Sequence, residues 1–154
     1  MKKLLSVFII LLSFYFGNAQ NDRVIIMNDI LVKEYFEEYV SEALERGYDV
    51  QDELIDKIRY IIIISEEFEY GFNVSDLGTT DFKFKLITLN SAVRIDRLIL
   101  KITLYRELSH VLGVPYNKGS VIMNRRNKIG FSYAAFDDVD IMDIELTKVL
   151  KYLD

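Results

Sequence analysis

Polar and apolar positions along this chain follow two rhythms, one near 3.6 residues and one of two, and the changes between them mark out the elements. In "NDILVKEYFEEYVSEALERG", Ile30, Leu31, Tyr35, Phe36, Tyr39, Val40, Ala43 and Leu44 recur at three- and four-residue spacing. That spacing predicts an amphipathic helix, capped by Asn28 or Asp29 and ended by Gly47, with Arg46 in its last turn. Glu34, Glu37, Glu38, Glu42 and Glu45 fall on its outer face and read as a solvated surface. "DVQDELIDK" has room for a helical turn. "IRYIIIIS" is β-branched and almost wholly apolar, which predicts a buried strand. "FKFKLITLN" alternates Phe82, Phe84 and Leu86 with Lys83 and Lys85, the pattern of a strand half-buried at its start and paired inside the sheet at its end.

"RIDRLILKITLYRELSHVLG" is the central helix of this reading, with Gly113 just past its end and Pro115, the only proline, beyond. Ile95, Leu98, Ile99 and Ile102 line one side, and Leu100, Leu104, Leu108 and Val111 another. A helix apolar on most sides is buried, so its few polar residues have to be accounted for. "DDVDIMDIELTKVLKYL" predicts a closing helix. The order is helix, strand, strand, buried helix, loop, helix. It predicts an α+β domain, a small sheet packed against a buried central helix with N- and C-terminal helices.

The start of the chain breaks both rhythms. Lys2 and Lys3 precede a run of 13 residues, Leu4 to Phe16, followed by the small-residue exit Gly17-Asn18-Ala19. This is the pattern of a secretory signal peptide, and the run is well short of the ~20 residues of a membrane span. The expectation is a signal peptide over 1–19, cleavage after Ala19, no retained membrane span, and one exported domain over 20–154, in the periplasm or outside the cell. With no cysteine, that domain has no disulfide and rests on its core, for which residues 20–154 supply seven Phe and nine Tyr. Losing Lys2 and Lys3 leaves 17 basic residues against 24 acidic ones, a net charge near −7. That balance sets nucleic acid and anionic lipid aside as partners.

The chemistry centres on "RELSHVLGVPY". Helical metal sites place two ligands at i and i+4 on one face, with a glutamate beside the first as general base. Glu107, His110 and Gly113 hold such relative positions. With "SVIMN" following, the stretch resembles the zincin-like metallopeptidases, in particular the metzincin arrangement and its methionine turn. It is most similar to small exported zinc metallopeptidases of about this length. The resemblance implies that Glu107 matches the general base, His110 the second zinc ligand, Gly113 the turn glycine, Tyr116 the third-ligand position and Met123 the methionine beneath the site.

Two departures fall on the ligands. Arg106 stands where the first histidine belongs, and a guanidinium has no lone pair for a cation and repels one. Tyr116 replaces the other histidine, and a phenol of ordinary pKa near ~10 is a reluctant ligand. His110 is the only histidine, whereas a catalytic zinc normally takes three protein ligands. Nothing in the spacing directs Asp137, Asp138, Asp140, Asp143, Glu66, Glu67 or Glu69 at it. The loop basics Arg125, Arg126 and Lys128 read as exposed. Arg106 and Glu107 leave two alternatives open: an internal ion pair standing in for the metal, or two side chains pointing to solvent beside a packing histidine.

The expected function is an exported zincin-like metallopeptidase homologue that is catalytically inactive, without cofactor, acting by binding a protein or peptide. One alternative is an active zinc hydrolase using His110, Tyr116 and an acidic third ligand, with Glu107 as base. The other is an unrelated exported interaction protein.

Overall fold

The computed structural model describes residues 24–64, 77–116, 122–123 and 139–153. Strand β1 is Ile26–Met27, followed by helices α1 (Ile30–Glu45) and α2 (Gln51–Lys57) and strand β2 (Tyr60–Ile64). Strands β3 (Gly78–Asp81) and β4 (Leu86–Asn90) precede a 3₁₀ turn (Ser91–Ile95), helix α3 (Arg97–Val111) and helix α4 (Val139–Leu150). The class is α+β. Residues 1–19, read as a signal peptide, the acids at 66, 67, 69, 137 and 138 and the basic run at 125–128 lie outside the described residues, as do the side chains of Asp140 and Asp143.

Asp29 is the cap of α1, its Oδ1 accepting from the Leu31 amide at 2.9 Å. Asn28 is used differently: its side chain donates to the Ile63 carbonyl at 3.0 Å and accepts from the Ile63 amide at 2.8 Å. It thereby extends the short β1–β2 pairing by one backbone-like bridge. Gly47, at φ 90°, ends α1 in the left-handed region that glycine enters without strain. The predicted turn in "DVQDELIDK" is the seven-residue helix α2.

The sheet runs β1-β2-β4-β3, with β1, β2 and β4 parallel and β3 antiparallel on the edge. Parallel neighbours need a crossover, which α1 and α2 supply between β1 and β2. Ile61, Ile63, Ile87 and Leu89 are buried and join α1 and α3 in one core. The alternate residues of the same strands, Tyr60, Ile62, Ile64, Leu86 and Thr88, are exposed or half-buried. The continuous apolar run of β2 is thus buried deeply on one face only, which corrects the expectation of a strand buried throughout.

The alternation in "FKFKLITLN" also has a different outcome. Residues 82–85 are a turn, not the start of a strand, and Phe82 and Phe84 are exposed. Asp81 decides this, because its Oδ1 accepts from the Lys83 amide at 2.9 Å and the Phe84 amide at 3.1 Å. An aspartate that captures the amides two and three residues on forms a turn before a ladder can continue.

Helix α3 starts at Arg97 behind the cap Asp96, whose Oδ1 accepts from Leu98 at 2.7 Å. It is buried on nearly every side, as its apolar pattern predicts. Helix α1 packs along it, and β3 and β4 lie against it elsewhere. Two polar clusters sit within this packing, one toward β3 and one toward α1.

Candidate functional site

The cluster toward β3 is built on Arg106 and Glu107, which are 2% and 0% exposed. Successive helical positions point about 100° apart and do not normally meet. The length of the arginine overcomes this: its Nε donates to Glu107 Oε1 at 3.0 Å, and its Nη2 lies 2.8 Å from the same oxygen. Nη2 also reaches the Gly78 carbonyl at 3.3 Å. The other carboxylate oxygen, Oε2, accepts from Thr80 Oγ1 at 2.8 Å and from the Tyr116 hydroxyl at 3.0 Å. Both oxygens are saturated, one by the guanidinium and one by two hydroxyls. The alternative in which Arg106 and Glu107 point to solvent is overturned by this burial.

Tyr116 reaches the cluster because α3 ends sharply. Gly113, at φ 98°, donates to the His110 carbonyl at 3.0 Å, and the Val114 amide donates to Ser109 at 3.0 Å. This left-handed glycine turns the chain back on itself, the role its sequence position implies. The returning chain brings the Val114 carbonyl 3.4 Å from His110 Nδ1 and lays the Tyr116 ring on the imidazole, centroids 4.0 Å apart and 29° from parallel. Phe82 makes an edge-type contact with the same imidazole, centroids 5.4 Å apart and 63° from parallel. Glu107 thus anchors Arg106 and Tyr116, and His110 joins them through its stacking on the Tyr116 ring. Met123 is fully buried with Ile122 in the core.

Three contributors have no signal in the sequence motif. Thr80 and the Gly78 carbonyl come from edge strand β3, whose "GTTD" carries no apolar rhythm. Gly78 also has to be small: a Cβ there would lie 2.8 Å from Thr103 Cγ2 and 3.2 Å from Glu107 Cγ. Phe82 belongs to the turn read as strand. Only the short glycine- and threonine-rich composition before "DFKFK" marks the first two.

The donor set does not fit a zinc ion. A cation occupies the first-ligand position, the would-be base is engaged by four donors, and one imidazole is present. Among the described residues, no three His, Asp or Glu side chains gather in a way that could hold a metal. What the arrangement does chemically is hold a buried charge pair closed around the end of the helix.

The second cluster lies toward α1. Ser109 Oγ donates to the Tyr105 carbonyl one turn back at 2.7 Å and meets the Tyr39 hydroxyl at 3.0 Å. It is fully buried and bonded on both sides, so it is no nucleophile. Tyr39 and Tyr105 pack edge to face with centroids 4.9 Å apart. Burial raises both phenols well above the ordinary tyrosine range, and for Tyr105 the neighbouring Glu42 carboxylate adds to the rise. The Tyr105 hydroxyl donates to Glu42 Oε1 at 3.3 Å, and Lys101 pairs with Glu38 at 2.7 Å and Glu42 at 3.6 Å. Two of the glutamates read as plain surface therefore tie α1 to α3. Among the described residues, no helix is long and apolar enough to cross a membrane.

Comparison of the chain with protein-family models, with curated proteins and with solved structures finds no match in any of the three.

Proposed function

We propose that this chain is a zincin-like domain in which an internal ion pair stands where the catalytic metal would sit, and that it acts outside the cytoplasm by binding a protein or peptide. The observation that carries this reading is the state of Glu107. A general base needs a free lone pair aimed at a water or substrate. Here both carboxylate oxygens are taken, and the charge of Arg106 supplies the compensation that a metal would otherwise provide. His110 supports the reading as well, since its ring is stacked on Tyr116 and met at an edge by Phe82.

A second reading, a metallohydrolase with unusual ligands, draws on the closeness of His110, Tyr116 and Glu107. Metal stoichiometry separates the two. The protein purified without a histidine tag is expected to carry no stoichiometric zinc, with His110→Ala indistinguishable from it. Arg106→His, which removes the guanidinium and restores a second imidazole, is expected to gain zinc affinity. About one zinc per wild-type chain, lost in His110→Ala, sinks the proposal and makes Glu107→Gln the next test for hydrolysis.

A further inference from the structure

The β3–β4 turn is the place where this acidic chain reverses character. Phe82 and Phe84 are 52% and 62% exposed in this turn, and Lys83 lies between them in the chain with its Nζ 5.4 Å from the Phe84 ring centroid. Neither Lys83 nor Lys85 has a carboxylate partner among the described residues. Lys85 Nζ instead reaches a backbone oxygen, that of Asp56, at 2.7 Å. The one acid in the turn, Asp81, is engaged by the amides of Lys83 and Phe84. From the other side, the Lys85 carbonyl accepts from the Arg59 amide at 2.6 Å and the Tyr60 amide at 3.1 Å.

These facts belong together physically. Exposed aromatics lose free energy by leaving water, and a lysine between them, here Lys83, extends its ammonium group to anionic headgroups. Each backbone group of a turn that already has a partner lowers the cost of entering the headgroup region, because unpaired amides are costly there. In this turn the Lys83 and Phe84 amides and the Lys85 carbonyl all have partners. We infer that the Phe82–Lys83–Phe84 turn is a peripheral anchor for a lipid surface bearing anionic headgroups. The net charge that sets such surfaces aside for the chain as a whole is locally reversed at this tip. Phe82 also touches His110, so docking through the tip would bring the Arg106–Glu107 end of α3 close to the bilayer.

The chain has no tryptophan, so Phe84→Trp places a single reporter at the tip of the full-length protein. The probe is vesicles of phosphatidylethanolamine and phosphatidylglycerol. The expected result is a blue shift of tryptophan emission and quenching by lipids brominated on the acyl chains. In the same background, Phe82→Ser is expected to weaken vesicle affinity about tenfold, the loss of one buried aromatic contact. Lys83→Glu is expected to weaken it further at low salt than at high salt. Unchanged emission at saturating vesicles overturns the inference, as does a shift that both Phe82→Ser and Lys83→Glu leave intact. A shift with added polyglutamate but none with vesicles also overturns it, and assigns the tip to a protein partner.

Discussion

Helix α3 carries a polar cluster on each of two sides, and they are satisfied in opposite ways. Toward β3, a formal cation and a formal anion are both buried, with every carboxylate oxygen bonded. Toward α1, the buried groups are hydroxyls kept neutral by burial, and the charges of Lys101, Glu38 and Glu42 sit at the rim. A neutral hydroxyl deprived of one partner loses a hydrogen bond. A buried charge deprived of its counter-charge keeps the full penalty of desolvation. The two clusters should therefore differ in how steeply they respond to the loss of a single member.

The steepest response is expected from the charge pair. Arg106→Met or Glu107→Leu alone should cost about 3–5 kcal/mol in urea unfolding, because each leaves the other ion buried and uncompensated. The double variant should recover most of that loss, giving a strongly non-additive cycle. Additive losses would mean that the pair contributes nothing as a pair, and would undo the contrast between the two clusters.

A milder loss is expected on the α1 side. Ser109→Ala leaves the buried Tyr39 hydroxyl without its partner, at about 1–3 kcal/mol by chemical denaturation. Adding Tyr39→Phe should return part of it by removing the orphaned group. A Ser109→Ala loss as large as that of the charge pair would show that the hydroxyls are no more forgiving than the ions.

The smallest effect lies at the rim and depends on pH. The Glu42 carboxyl is raised above its ordinary value, chiefly by burial, with Lys101 opposing the rise and Glu38 adding to it. A raised folded-state pKa means that the folded chain holds this proton to a higher pH than the unfolded chain does. The contribution is present near and below the unfolded value of about 4.3 and is lost as pH rises through the folded value. Glu42→Gln should flatten that part of the stability profile, leaving the variant with the shallower decline. Parallel profiles for wild type and variant would count against the shift.

The turn at 82–85 and helix α3 show what kind of information the sequence carries. The apolar coverage of α3, its end at Gly113 and the closing helix follow from local rules, since periodicity and a left-handed glycine act within a few residues. Strand β3 and the turn were not legible in the same way. "GTTD" has no hydrophobic rhythm, and "FKFK" carries the rhythm of a strand, yet one aspartate diverts its amides. Strand β1, two residues long, is held by its neighbour and by Asn28, which no periodicity reports.

The candidate site divides along the same line. Sequence by itself determined that a buried helix would carry Arg106, Glu107 and His110, and that Gly113 would turn the chain so that Tyr116 could come back toward them. Those are consequences of helical spacing and backbone conformation, both short-range. Tertiary structure alone decided that Arg106 would close on its own neighbour Glu107, and that Thr80 and the Gly78 carbonyl would complete the set from a strand 27 and 28 residues away. Pairing of buried charges depends on which groups packing brings within reach once water is excluded, and that is a property of the assembled core, not of any stretch of chain.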